Sequence, residues 1–401
     1  NSMTLRVWNN KNQVGITSTS DLTNEGIRKA MKGAVEASSF GNINEAPEFS
    51  SLAKLPIKEV NIQQNRNHCI DELLTILKNA EKKLIDSHNS IDSVPYNGLS
   101  ESYMERLYLN SDGANRYMEL DQTSIYLYAK SQEDNKKPRS AGGIRVNTSL
   151  EQLDIESCIE ETSNKLISHL NYKAIETRKY LICFSPEAFL QLINAFSSMF
   201  NARSIIDGLS LMNEKSLGEQ IAVRNLDISD EGLHPKNVGA FSFDGEGTPT
   251  QNINLIKSGV LKNLLHSEAT ARKFGVRPTG HAGLGAKVSV SPDWLVVRKN
   301  YDEKDKDETL SIKNTLKEYI LIDELSALHS GVKASQGSFS LPFDGWIVKD
   351  GIKTSIEAAT IAGDILKVLN TIAKIEKEEI VTHQGISPYV WVEDISITGE
   401  S

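Results

Sequence analysis

Several familiar chemistries lack their residues in this chain. Its 401 residues include only three cysteines, Cys69, Cys158 and Cys183, spaced too widely for a CxxC pair or a zinc knuckle. They read as reduced thiols rather than a disulfide framework, which points to the cytoplasm. No apolar run approaches the roughly 20 residues that span a bilayer. The opening residues NSMTLRVWNNKNQVG also lack the charged-then-apolar order of a secretion signal. Basic residues are in deficit, with 44 Lys and Arg against 53 Asp and Glu and a formal charge of −9. A field of that sign repels a polyphosphate, so nucleic-acid binding gains no support.

Catalytic signatures are missing as well. No two of the eight histidines, at 68, 88, 169, 234, 266, 281, 329 and 383, lie within five residues of each other, so a helical HExxH zinc site has no place. A site assembled from His266, His281 and His329 competes with the plainer reading that each is a hydrogen-bonded structural residue. There is no GxSxG elbow and no GxxxxGK[ST] loop, and Gly280, Gly283 and Gly285 read as backbone bends. Cys183 has no nearby His or Asn to activate it, and it and Cys158 read as core thiols.

What is present is a chain with 39% hydrophobic and 24% charged residues, enough for a substantial core in two or three domains. Thr4–Trp8 and Val14–Thr19 form a predicted hairpin, and Thr23 caps a helix carrying Ile27, Ala30, Met31 and Ala34. The first strand reads as already under way, as if a further segment preceded it. Residues 40 to 60 read as a surface connection. Ile70, Leu73, Leu74, Leu77, Ala80 and Leu84 predict an amphipathic helix from about Ile70 to Asp86. Segments 106–110, 116–120 and 123–129 predict an antiparallel meander. The loop 131–139, with Lys136, Lys137 and Arg139, reads as solvated.

A helix is expected over Leu150–Leu170. A boundary then divides residues 1–175, of strands and helices, from a β-rich region at 176–401. In that second region Ser185 and Pro186 start a helix reaching Phe200, and Ser267 starts another ending at Gly275. A third is expected over about Glu357–Ala373. Strands are expected at Val238–Phe243 and at several later segments, and Lys299–Glu308 reads as a loop. The fold class is α+β.

The stretch from Phe243 to Gly275, FDGEGTPTQNINLIKSGVLKNLLHSEATARKFG, stands out. Asp244 and Glu246 beside Gly245 and Gly247, then Thr248 and Pro249, make a rigid acidic turn. Two readings follow: carboxylates that only brace the turn, or a loop that holds an extended peptide by strand addition. This string, with RPTG after it, closely resembles the signature of the TldD/PmbA family, also called modulators of DNA gyrase and related to zinc metallopeptidases. The segments VGITSTSDLTNEGIRKAMKGAVEAS and LHSGVKASQGSFSLPFDGWIVKDGIKTSIEAATIAGDIL are similar to the family's opening and closing blocks.

The resemblance implies an α+β fold, and it implies more by what fails to match. In the family, the TldD branch carries HExxxH on the helix preceding the signature, and a C-terminal Cys completes the zinc site. The equivalent helix here, PEAFLQLINAFSSMF at 186–200, has Glu187 but no His, and no Cys follows Cys183. Both departures resemble the PmbA/TldE branch, the non-catalytic half of a heteromeric protease that acts on unfolded or leader peptides. The implied partners are a TldD-like zinc peptidase and an extended peptide, with a homodimer when the partner is absent. Zinc is expected only in that partner, and no cofactor, catalytic residue or metal ligand in this chain. Asp244, Gly245, Glu246, Gly247 and Thr248, with His329 and Ser330, are the candidate peptide-groove residues. Two rival readings remain: a binding protein that modulates DNA gyrase, and a metal-free hydrolase using Cys183 or Ser330 with a His.

Overall fold

A hairpin opens the fold: β1 (Met3–Trp8) and β2 (Val14–Thr19) pair antiparallel around a turn in which Asn12 takes a φ of 61°. The computed structural model describes residues 1–41, 49–58, 68–284, 288–300 and 318–399. Thr23 accepts the Gly26 N–H at 3.1 Å and starts α1 (Asn24–Ser38), which turns Ala30 and Ala34 onto the hairpin. Helix α2 (Ile70–Asp86) covers the span that the apolar spacing predicts. Of the connection expected at 40–60, residues 40–41 and 49–58 are described, and there Ser50 and Ala53 are buried rather than superficial.

The central sheet is antiparallel, with β3 (Ile91–Leu109) and β5 (Ser140–Asn147) on either side of β4 (Asn115–Ser131). The predicted segments 116–120 and 123–129 are one strand. Asp121 and Gln122, which read as a break, stay in the ladder opposite Tyr103 and Ser102. Helix α3 (Ile155–Ser168) begins later than expected because the Asp154 side chain caps it at the Ser157 N–H. Cys158, Ile159 and Leu166 from α3 meet Ala80 and Leu84 from α2 over Ile125 and Leu127. The loop at 131–139 is not merely solvated. Arg139 donates to the carbonyls of Glu357 (2.6 Å) and Ile356 (3.1 Å), and Lys137 pairs with Glu357, so it fastens the central unit to the C-terminal one.

The C-terminal region holds a nine-stranded sheet and a six-stranded sheet. In the larger, 390–399 lies between 178–184 and 359–364, while 318–325 runs parallel to 178–184. The smaller places 226–231 between 252–257 and 295–299. Helix α4 (Pro186–Ala195) packs against both sheets, and its Ala188, Phe189, Leu190, Leu192 and Ile193 are in the main core.

Three expectations fail. The helix expected to reach Phe200 ends at Ala195, and Ser197–Phe200 is a separate 3₁₀ turn. The helix expected over 357–373 is a strand, Ala359–Asp364, followed by a short helix, Ile365–Asn370. Ile361 pairs with Leu341 and Ile397 in the sheet, and tertiary pairing overrides the helical spacing. Val238–Phe243 is a run of turns, closed by a bridge from Phe243 to Pro249. Its aromatic residues are apolar for another reason: Phe243 is buried against Met118 and Leu120 of β4. Most of the loop at Lys299–Glu308 lies outside the described residues. No helix among the described residues is long and apolar enough to cross a membrane.

Candidate functional site: the cavity beneath helix α4

Ser185 sets the position of α4. Its hydroxyl oxygen accepts the Ala188 N–H at 3.0 Å and donates to the Asp323 carbonyl at 2.7 Å, tying the helix start to strand 318–325. Pro186 occupies the first turn, where a missing N–H is harmless. The start of this helix forms one wall of a cavity of about 1200 Å³, which β4, β5 and α3 close from the central unit. Such a volume lies above the usual range for small-molecule sites, so it has room for a peptide segment.

Charge is concentrated on that wall. Lys165 of α3 sits 3.0 Å from Glu161 and 3.3 Å from Asp323. Burial works against its ammonium, but the Asp323 and Glu161 carboxylates outweigh burial and hold Lys165 above the ordinary lysine value. Burial pushes Glu187 up, with Lys165 opposing. Burial and the neighbouring Glu187 push Glu324 up to about 7. His383 lies 3.7 Å from Glu187, and burial favours its neutral form. Near neutral pH this wall therefore presents both ionised and protonated carboxyls, able to accept from a peptide's N–H groups or donate to its carbonyls.

Zinc does not fit α4. With Glu187 set at the glutamate of HExxxH, Pro186 and Gln191 stand at the two histidine positions. Proline offers no donor atom, and Gln191 Oε1 is engaged, accepting the buried Leu325 N–H at 2.8 Å. Neither is a zinc ligand of the usual N, S or carboxylate kind.

The residues that the sequence put forward for a groove lie apart from this cavity. Asp244, Glu246, Gly247 and Thr248 are buried and Gly245 is half-buried, whereas His329 and Ser330 are exposed on a short helix packed against α4. None of them is among the cavity-lining residues. The acidic turn is an internal brace. Asp244 accepts the N–H groups of Glu246 (2.8 Å), Thr248 (2.9 Å) and Ala282 (2.9 Å). Glu246 accepts the Glu268 N–H at 2.8 Å and pairs with Arg6 at 3.4 Å. Thr248 meets Ser50 at 2.8 Å. Gly247 has a φ of 75°, and a Cβ there would come within 2.5 Å of Tyr108. Burial, with Glu246 beside it, pushes Asp244 up to about 7 against the pull of its three N–H donors.

Of the three histidines considered together, the His281 ring and the His266 backbone N–H share the Thr279 hydroxyl, the His266 ring turns to Thr270, and the exposed His329 stays apart. Cys183 is buried against Tyr319, Val348 and Trp391. Sequence reasoning missed the cavity wall, since the Glu161 and Lys165 pair on α3 and the Asp323 and Glu324 pair on strand 318–325 are far apart in the chain. Only Glu187 carried a signal.

One helix is held between two sheets, with its N-terminal turn opening on a charged cavity of about 1200 Å³. Comparison with known proteins gives the family. The model of the PmbA/TldA metallopeptidase C-terminal domain matches residues 177–399, and that of the central domain matches 68–170. The chain belongs to the PmbA/TldD family. It is 23% identical over 397 residues to a metalloprotease PmbA homologue of Buchnera aphidicola, covering 97% of this chain and 84% of that one. With metalloprotease PmbA of Escherichia coli it shares 21% over 372 residues, covering 91% and 78%. Among solved structures, a Thermotoga maritima protein named as a modulator of a DNA gyrase superposes with a TM-score of 0.86 at 24% identity, covering 99% of this chain and 89% of that one. TldE from Thermococcus kodakarensis gives 0.78 at 19%, covering 97% and 88%.

Proposed function

We propose that this chain is a PmbA/TldE-like, non-catalytic subunit that pairs with a TldD-like zinc peptidase in the cytoplasm and helps to enclose an unfolded or leader peptide. The observation that carries the reading is α4. Its Glu187 faces a peptide-sized cavity, but the positions that would hold zinc are Pro186 and a Gln191 committed to the Leu325 N–H. The TldE neighbour, alike over nearly the whole chain, adds support for such a partner. The gyrase-modulator names belong to relatives, and a net charge of −9 gives that reading no physical footing on DNA. The cavity's contribution is to bind and orient: its carboxyls and Lys165 grip a peptide backbone, and its walls exclude water.

The test is co-expression with a TldD-like subunit and hydrolysis of an unfolded peptide such as reduced casein. The chain alone should not cleave, and the pair should. Glu187→Gln in this chain should raise the KM of the pair while leaving kcat nearly unchanged. Cleavage by this chain alone at a rate like that of the pair would overturn the reading, as would failure of the two to associate.

A further inference from the structure

Asp230 lies in strand 226–231, and Asp293 stands just before strand 295–299, which pairs with it antiparallel, Leu295 opposite Asp230. His281 arrives from a third segment, immediately before strand 282–284, which the Asp244 carboxylate holds by the Ala282 N–H. One ligand-type atom from each of Asp230, His281 and Asp293 lies within 4.8 Å of the others. Asp230 and His281 have fully buried side chains, whereas Asp293 is exposed at the wall of the large cavity.

The hydrogen-bond pattern leaves one atom unexplained. Thr279 Oγ1 accepts the His266 N–H at 2.8 Å and donates to the His266 carbonyl at 3.2 Å. His281 Nδ1 lies 3.0 Å from that same oxygen, which fixes the orientation of the ring. Nε2 has no hydrogen bond, inside a side chain that is 0% exposed. It looks across 3.5 Å at Asp230 Oδ1, too far for a good hydrogen bond. A buried ring nitrogen left without a partner beside a buried carboxylate is unfavourable, and the contact becomes favourable when a cation shares it. Asp230 is itself oriented for such a role, since Oδ2 accepts the Asp293 N–H at 2.7 Å and Oδ1 only a longer 3.3 Å bond from Trp294.

We propose that Asp230, His281 and Asp293 form a binding site for one divalent first-row cation of the zinc or manganese kind. One imidazole nitrogen and two carboxylates suit such an ion, and ligation through Thr279-oriented His281 has the usual outer support for a metal-bound histidine. Three protein ligands leave a coordination position on the Asp293 side, which faces the cavity. The site is separate from α4 and goes beyond the proposed function, which requires no metal in this chain.

The experiment is isothermal titration of the EDTA-stripped, full chain with Zn²⁺ and with Mn²⁺ at pH 7.5, followed by Co²⁺ absorption spectroscopy. One equivalent should bind with at least one of the two metals. Asp293→Asn, a change at an exposed side chain, should weaken binding by at least ~10-fold, the loss seen even when an outer-shell partner is removed. His281→Gln should abolish the Co²⁺ bands while circular dichroism confirms folding, and His329→Ala should change nothing. No saturable binding, or binding unaffected by both Asp293→Asn and His281→Gln, overturns the proposal and leaves a shared proton as the cation. Peptide cleavage by the metal-loaded chain alone would overturn the non-catalytic reading and not this one, so the two failures are distinguishable.

Discussion

Replacing Asp244 by Asn tests whether the acidic turn is an internal brace. Asn keeps one oxygen for the Glu246 and Thr248 N–H groups but turns an amide NH₂ toward the Ala282 N–H. One bond is lost and buried donors are left unsatisfied, a penalty of about 1–3 kcal/mol. The pH dependence is more discriminating. A carboxyl raised in the native state to about 7 from 3.8 takes up a proton on folding. Its stabilising contribution is therefore full below the unfolded value and is lost as pH rises through about 7, a fall of about 2 kcal/mol between pH 5 and pH 7. His169 and His266, both held down to about 4 by burial, act in the opposite sense, gaining stability as pH rises from about 4 toward the ordinary histidine value. Comparison with Asp244→Asn cancels them. Urea denaturation of both proteins at pH 5, 6 and 7 should show the variant least stable relative to the parent at pH 5, with the gap closing by about 2 kcal/mol at pH 7. A gap that stays constant or widens with pH would refute the reasoning, because the three N–H donors would then outweigh burial.

Two further outcomes follow from burial and bonding. Gln191→Ala strands the Leu325 N–H in the core and should lower unfolding stability by about 1–3 kcal/mol; a change below about 0.5 kcal/mol, the size of an ordinary surface substitution, would show that the amide is replaceable by water. In the native state a disulfide-exchange reagent should label Cys69 alone, since Cys158 and Cys183 are buried and burial pushes the Cys158 thiol up to about 11. Fast labelling of a second thiol would contradict the packing of one of them.

The parts of this fold that were legible in the sequence are those set by local rules. Helix α2 followed from apolar spacing, α1 from the Thr23 cap, and the end of the helix at Phe274 from Gly275, which takes a φ of 66°. Strand 226–231 left no trace, because its burial comes from flanking strands at 252–257 and 295–299 rather than from its own pattern. The same holds for the candidate sites. Asp230 and Asp293 become neighbours only through strand pairing, and Lys165 reaches Asp323 only because α3 and strand 318–325 meet at the cavity. Gln191 was readable in another way: its meaning lies in the register fixed by Glu187, and the bond to Leu325 supplies the reason the position cannot serve a metal. The DGEGT turn shows the converse, a conspicuous motif whose groups face inward.

The placement of strand 390–399 carries a consequence for biosynthesis. It lies between 178–184 and 359–364, so a later-made segment separates two that precede it in the chain. Until residue 390 and its successors leave the ribosome, Ile182 and Ile361 have an unpaired ladder beside them, open to edge-to-edge association. The central unit, whose β3 to β5 are sequential neighbours, is free to form first, and its loop residue Arg139 is in place to receive the carbonyls of Ile356 and Glu357. Nascent chains stalled short of residue 390 should thus be the ones that call on a chaperone, long after the central unit has become resistant to protease.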